Sequence, residues 1–325
     1  MKNILEQTKN NINILYEEEY SQIENEIKHI IVKQLDSVGI MCRVFSRTKS
    51  KESVLKKMDN KRMKKYQAEN RGMQDILGIR VIVYFEDDID ICIDLLKKKF
   101  EFVSCEHDWN DTETFCPKRI NYIFGIPKEC GEIPKEIRTK CMMENTFEVQ
   151  FRTVFSEGWH EVEHDLRYKN QSDWDDEKDL ARDLNALFAV LEMCDSNLLG
   201  ICDNLAYKKY KSRNWESMIR NRFRLRFEDK QLTKKILDVF EENDSIGKDI
   251  FRFERSNLIS ILNEMGERIT YENVIFIVNY CKTRDDMLMC LTPSSIMDRL
   301  EELDVNKLEY ENKMPYKSVV SMKYV

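Results

Sequence analysis

Lys49, Ser53 and Lys57 stand four residues apart in a stretch that opens on Arg47. On a helix that interval stacks all three side chains on one face. Two like charges flanking a hydroxyl gain nothing from each other, but they suit an anion laid along the face. A helix beginning near Ser50 adds free backbone N–H groups and a favourable dipole at the same end. From Met41 to Arg80 twelve Lys/Arg stand against four Asp/Glu, although the whole chain carries a net charge of −7. A solvated basic helix face would read the same way. Asp75 lies just before Ile79-Arg80-Val81-Ile82-Val83-Tyr84-Phe85, a β-branched run expected to form a buried strand. A carboxylate at the mouth of a strand, with Gly78 permitting close backbone approach, is one way to hold Mg²⁺ against a phosphate. A turn aspartate at a strand entrance is the plainer reading of the same residue.

Two further stretches carry chemistry. From Thr146 to Thr153 the residues alternate, with Phe147, Val149 and Phe151 on one side and Glu148, Gln150 and Arg152 on the other. A strand with an acid–amide–base face is either half solvated or lines a site. Next, His160-Glu161-Val162-Glu163-His164 spells HExxH, which on a helix sets two histidines on one face at zinc-ligand spacing. No third ligand follows His164 at a recognisable interval.

The elements that must position these groups follow from periodicity. Apolar residues from Ile12 to Val38 recur at three- and four-residue steps and predict a helix stopped at Gly39. A short strand over 42–46 would deliver Arg47, followed by a helix over 50–70. The strand at 79–85 precedes a helix over 87–99 whose acidic start and basic end match its dipole. Strands are expected over 100–106 and 119–126, with a polar loop at 110–118 between them and a connector over 130–145. Helices over 154–169 and 175–199 follow the alternating strand. The first two hundred residues thus predict an α+β layer domain, a mixed β-sheet flanked by helices. Beyond Leu205 the strand signals fade, and amphipathic helices are expected from Phe251 to Leu303. Between Tyr207 and Lys235 eleven Lys/Arg face three acids, interleaved with aromatic residues. That pattern suits an RNA-contacting surface or a charged helix packed on acidic parts of its own chain.

Composition sets the outer limits. With 325 residues the chain can hold two domains and a substantial core, and 34% charged against 42% hydrophobic residues is a soluble globular balance. No window reads as apolar enough to span a membrane, and the N-terminus lacks the apolar stretch of a signal peptide. Ten cysteines without a CxxC pair read as reduced thiols in a cytoplasmic protein. The acidic balance excludes wholesale polyanion binding but not a local basic site.

Taken in order, the motifs resemble those of the RelA/SpoT nucleotide-synthetase family, which makes (p)ppGpp alarmones. R-x-K-x3-S-x3-K is filled by Arg47, Lys49, Ser53 and Lys57, and D-I-x-G-x-R by Asp75, Gly78 and Arg80. E-V-Q-x-R-T is filled by Glu148, Gln150, Arg152 and Thr153; W-x-E-x-E-H-x-L-x-Y-K by Trp159, Glu161, Glu163, His164, Leu166, Tyr168 and Lys169. The resemblance covers about 40–170. It implies a nucleotidyltransferase-like synthetase domain over 1–204, followed by a helical region over 205–325 whose role it leaves open. It also implies transfer of pyrophosphate from ATP to the 3′-hydroxyl of GDP or GTP, with release of AMP. Arg47 and Arg80 would then pack around the ATP adenine and phosphates, and Lys49, Ser53 and Lys57 would hold the phosphate tail. Asp75 and Glu148 would bind Mg²⁺, with Glu148 also the base for the acceptor hydroxyl. Lys118, Tyr122, Gln150, Arg152 and His164 would serve the acceptor. A homo-oligomer is compatible with this reading, and no membrane partner is implied.

One motif departs. The family's acceptor loop runs P-K-x-N-G-Y-R-S-x-H, whereas this chain has Pro117-Lys118-Arg119-Ile120-Asn121-Tyr122-Ile123-Phe124-Gly125-Ile126. Tyr122 keeps its distance from Pro117; the asparagine, glycine, serine and histidine positions differ. The departure leaves room for toxin-like relatives that modify the tRNA 3′ end, or for adenine-nucleotide acceptors. A zinc metalloprotease built on HExxH is the reading from another class. The sequence has no room for an HD hydrolase domain before Arg47.

Overall fold

A computed structural model describes residues 19–50, 53–54, 57, 72–107, 120–133, 135, 138 and 143–303. By its contacts the chain divides into two compact units, one of residues 1–35 and 42–197 and one of 36–41 and 198–325.

The first unit is built on a five-stranded mixed sheet in the order β1-β2-β5-β4-β3. The strands are β1 (Cys42–Thr48), β2 (Leu77–Val83), β3 (Phe102–His107), β4 (Ile120–Gly125) and β5 (Thr146–Thr153). Only β2 and β5 run parallel; the other neighbours are antiparallel. The β-branched run at 79–85 and the alternation at 146–153 put these two strands side by side within the sheet. One face is the core. Leu77, Ile79 and Val81 of β2, Phe147, Val149 and Phe151 of β5, and Tyr122 and Phe124 of β4 are all buried there. Helix α2 (Asp88–Lys99) packs on this face through Ile89, Cys92, Ile93 and Leu96. Its Asp88 and Asp90 at the start and Lys97, Lys98 and Lys99 at the end match the expected dipole pattern. Fully burying each large side chain contributes about 1.5–3 kcal/mol.

Helix α1 (Glu19–Ser37) buries Tyr20, Ile23, Ile27, Ile31 and Leu35, the expected three- and four-residue stripe. It stops at Gly39, whose φ of 70° is the left-handed conformation that suits a helix end. The earlier part of the predicted stripe, from Ile12, lies outside the described residues. So do most of the predicted 50–70 helix, the 110–118 loop with Pro117 and Lys118, Arg119 at the start of the predicted 119–126 strand, and the tail past 303; Ser53, Val54 and Lys57 are helical.

Thr153 opens α3 (Val154–Leu166) as a capping box: its hydroxyl accepts from Ser156 N, and Ser156 Oγ accepts from Thr153 N. α3 packs against β2 and β5. It ends earlier than periodicity suggested, because a 3₁₀ segment (Tyr168–Trp174) follows. α4 (Lys178–Lys211) runs well past the predicted end at 199, because Gly200, which could have ended it, is accommodated within the helix. The expectation that no segment could span a membrane meets one exception: by length and composition alone α4 is long and apolar enough.

The second unit is helical, as predicted. Its helices are α5 (Trp215–Phe223), α6 (Lys234–Glu242), α7 (Asp244–Phe251), α8 (Arg255–Met265), α9 (Tyr271–Val278), α10 (Asp286–Leu291) and α11 (Ser294–Glu302). Gly247 is required where Trp215 crosses α7, because a Cβ there would lie 2.4 Å from the indole ring. Within the basic–aromatic stretch most Lys and Arg side chains are exposed, while several of the aromatic rings pack inside the unit. Trp215 and Phe223 are buried, and Phe227 stacks on Tyr271 with ring centroids 4.4 Å apart. Its arginines pair within the unit: Arg213 with Asp244, Arg222 and Arg224 with Asp203, and Arg226 with Asp36. Of the two readings of this stretch, the structure favours charged helices packed on their own chain.

Candidate active site

Register on the face opposite the core brings the sequence motifs together. Arg47 of β1, Gly78 of β2, Glu148 of β5 and Ile123 of β4 lie in one row across the sheet; Phe45, Arg80, Gln150 and Asn121 form the next. Gly78 presents no side chain between Arg47 and Glu148. The turn before β2 is tied to β1 by the Lys49 N–H donating to Ile76 O at 2.9 Å, which brings Asp75 alongside Lys49.

Asp75 sits between two ammonium groups. Lys57 Nζ donates to Asp75 Oδ1 at 2.7 Å and Oδ2 at 2.6 Å, and Lys49 pairs with Oδ2. Burial works to raise the Asp75 pKa, but the two lysines overcome it and hold the carboxyl below its usual range. Lys49 is pushed below the usual lysine value, chiefly by burial, with Lys57 adding to the effect. Ser53, on the same helical segment, is exposed, its hydroxyl 3.1 Å from Ser50 Oγ. Lys49 lies just past β1 and outside the helical segment, so the three residues do not share one helix face; Lys49 and Lys57 nonetheless meet on one anion, the chain's own carboxylate.

Glu148 is held by two amides. Asn121 Nδ2 donates to Oε1 at 3.0 Å and Gln150 Nε2 donates to Oε2 at 2.8 Å. Burial raises the Glu148 pKa against the help of Gln150, and the charge of nearby Asp75 raises it further. The resemblance did not mark Asn121, because its place in the acceptor loop is shifted. Pairing opposite Gln150 is what carries its amide to Glu148.

One row further along, Arg80 Nη1 donates to Glu157 Oε1 and to Glu161 Oε1, both at 2.6 Å. Burial opposes its charge, but the two carboxylates hold its pKa above the ordinary arginine value. Arg152 is buried and pairs with Glu157 Oε2 at 3.4 Å. Sequence reasoning missed Glu157, although it lies four residues before Glu161 and hence on the same helix face. His160 is pushed down to about 4 by burial and by Arg152 and Arg80. His164 bonds Asp165 at 3.0 Å, and its ring stacks on Tyr168 at 5.5 Å.

Two acceptor assignments need correction. Tyr122 is 5% exposed and pairs with Val149, so it points into the core, away from Glu148. Its ring packs on Phe124 at 6.2 Å and Phe151 at 5.9 Å, with Lys97 Nζ 4.9 Å from its centroid. Strand alternation forces this: the neighbour of an outward Asn121 must face inward. Arg152 lies on the site face but is covered where α3 packs, so it braces Glu157 rather than standing open to a ligand. Arg47, in contrast, is exposed on β1. Lys118 lies outside the described residues.

Asp75 and Glu148 fit a Mg²⁺ that keeps waters and takes further oxygens from phosphate, since such sites need only one or two carboxylates. The HExxH histidines fit zinc less well. Their rings are 5.6 Å apart, and among the described residues no group of three His, Cys, Asp or Glu is arranged to hold a metal.

Residues 46–173 match the family described as "Region found in RelA / SpoT proteins", and that stretch contains every residue of the cluster. No curated protein sequence matches the chain. Among solved structures, a GTP pyrophosphokinase family protein from Streptococcus pneumoniae is similar at 25% identity and a TM-score of 0.43, over 57% of this chain and 90% of that one. The small alarmone synthetase 1 from Bacillus subtilis bound to its product pppGpp is similar at 22% identity and a TM-score of 0.46, over 59% and 96%.

Proposed function

We propose, from the premise that residues 46–173 are a RelA/SpoT region, that this protein is an ATP:nucleotide pyrophosphotransferase of the (p)ppGpp-synthesising kind acting in the cytoplasm. The observation that carries the reading is the convergence of Lys49, Lys57, Asp75 and Glu148 on one face of the sheet. The O–Pβ bond of ATP breaks, the β,γ-pyrophosphoryl group passes to a ribose 3′-hydroxyl, and AMP leaves. Catalysis of this type is mostly positioning and charge neutralisation.

Lys49 and Lys57 exchange Asp75 for the triphosphate, whose charge exceeds that of one carboxylate. Arg47 and Arg80 flank the adenine and phosphates, with Arg80 leaving Glu161 to do so. Glu148, its pKa raised by burial, takes the hydroxyl proton; a base closer to neutral in pKa works better near pH 7. Asn121 and Gln150 aim that carboxylate. Mg²⁺ held by Asp75 and Glu148 would neutralise charge on the transferred group.

The inward turn of Tyr122 removes the ring expected to stack on guanine and favours a second reading of the acceptor, as an adenine nucleotide or a tRNA 3′ end. ATP labelled at the γ-phosphate, incubated with Mg²⁺ and separately with GDP, GTP, ADP and tRNA, decides the matter. Label in GDP or GTP with release of AMP supports the guanine nucleotide; label in ADP or tRNA moves the assignment to that acceptor. Release of ADP and phosphate overturns the transferase reading.

A further inference from the structure

Arg80 is held by two carboxylates in unlike settings. Glu157 and Glu161 stand one turn apart on α3, and each accepts from Arg80 Nη1 at 2.6 Å. Glu157 lies in the first turn of α3, just behind the Thr153 capping box, where the helix dipole favours its charge. Its side chain is only 15% exposed, and its second oxygen lies 3.4 Å from Nε of the buried Arg152. It therefore ties together two neighbouring strands through their arginines, Arg80 of β2 and Arg152 of β5. Glu161 is 55% exposed and meets Arg80 at the nitrogen that Glu157 already occupies. Its hydrogen bond to Arg80 holds the Glu161 carboxyl below its usual range, so it is charged at neutral pH.

We propose that these carboxylates have opposite parts in binding ATP: Glu157 is the positioning residue that fixes the Arg80 guanidinium over the sheet, and Glu161 is a counter-ion that substrate phosphate displaces. This rests on the pyrophosphotransferase reading, in which Arg80 flanks ATP. The balance of charge decides that one carboxylate must yield. Arg80 and Arg152 carry two positive charges against the two negative ones of Glu157 and Glu161. A triphosphate arriving beside Arg80 leaves an excess of negative charge, and like charges a few ångströms apart repel most where water is scarce. Burial decides which one yields. Moving Glu157 would pull apart a largely buried ion pair that water cannot reach to replace. Glu161 can turn into solvent, where water takes the place of Arg80, and exposed ion pairs of this kind are weak.

Titration calorimetry of the full chain with Mg²⁺ and α,β-methylene-ATP, which resists the transfer because carbon bridges Pα and Pβ, tests this. Glu161→Gln removes the competing charge and keeps the shape. It is expected to tighten binding of the analogue by about two- to fivefold, the scale of one exposed ion pair. Glu157→Gln is expected to weaken binding by at least about tenfold, the scale of a charge-assisted hydrogen bond away from water. With ATP as substrate, both changes should appear in KM more than in kcat. A purely structural brace would instead lower the melting temperature and leave the affinity of the folded protein unaltered. Both effects must run through the guanidinium, so in an Arg80→Gln background Glu161→Gln should no longer tighten binding. If Glu157→Gln does not fold, Glu161→Gln decides, alone and in that background. A Glu161→Gln protein no tighter than wild type, changes of the same sign in the two variants, or a gain that persists without Arg80 overturns the proposal and leaves the pyrophosphotransferase reading standing. A wild-type protein that does not bind the analogue overturns both.

Discussion

Tyr122 and Glu148 sit on neighbouring strands and face opposite sides of the sheet. Tyr122 pairs with Val149 and joins the rings of Phe124 and Phe151, whereas Glu148 opens towards Asp75 and Lys49. Distance along the chain from Pro117 is therefore a poor guide to what Tyr122 touches.

Tyr122→Ala removes a core ring and is expected to destabilise the protein by about 3–5 kcal/mol. ATP affinity and acceptor kinetics should fall together as the folded fraction falls. Tyr122→Phe keeps the ring and should melt close to wild type. Thermal melting and acceptor kinetics on the alanine variant check this; unchanged stability with a selective rise in acceptor KM would return Tyr122 to the site.

Asp75→Asn is expected to keep the fold and lower kcat by at least about 10²-fold, the scale of losing one preorganised charged contact to a transferring group. The isosteric amide leaves Lys49 and Lys57 without their shared anion. Turnover and melting temperature measured on one preparation separate loss of charge from loss of structure. Near-normal turnover would remove Asp75 from the site.

Asp195 is buried with Oδ2 bonded to Thr153 Oγ1 at 2.7 Å and Oδ1 without a hydrogen-bond partner. Burial pushes its pKa up to about 6, against an ordinary value of 3.8. Between those values the folded chain holds a proton that the unfolded chain has released, so stability falls as pH rises from about 4 to about 6. Asp195→Asn removes that loss. It should raise the melting temperature by about 2–4 °C at neutral pH, the equivalent of roughly 1 kcal/mol in a domain of this length, with no gain below pH 4. Melting curves across that range read the difference directly.

His160 should show the opposite pH profile. With its folded pKa near 4, below the ordinary 6.5, the unfolded chain binds a proton first as pH falls. Its contribution to stability is present above 6.5 and is lost towards pH 4. Relative to wild type, His160→Gln should gain stability across that window and none at pH 7.5. Proton NMR of the imidazole, assigned with the same variant, should give an inflection near pH 4; one near 6.5 would contradict the burial argument. Treatment with a strong zinc chelator should leave the melting temperature unchanged, whereas a marked fall would revive the HExxH reading.

Much of this molecule was legible in one dimension because its cues are local. Alternation over 146–153 gave the two faces of β5, and β-branched residues at 79–85 marked β2 to within two residues; the pairing of Lys49 with Lys57 was legible, but not on one helix face, since Lys49 lies outside the helix. Periodicity and stripe width depend only on neighbouring residues, so the strands, the helices and the helical second half could be read directly. What the tertiary structure decided were the partners. Strand register paired Asn121 with Gln150 and so brought an unmarked amide to Glu148, while turning Tyr122 inward. Packing of α3 on β2 and β5 covered Arg152 and gave Arg80 two carboxylates, through a Glu157 that no motif had singled out. The turn before β2 placed Asp75 between the lysines. Charges far apart in the chain interact only when the backbone brings them within a few ångströms, and that distance is a property of the sheet, not of any stretch of sequence.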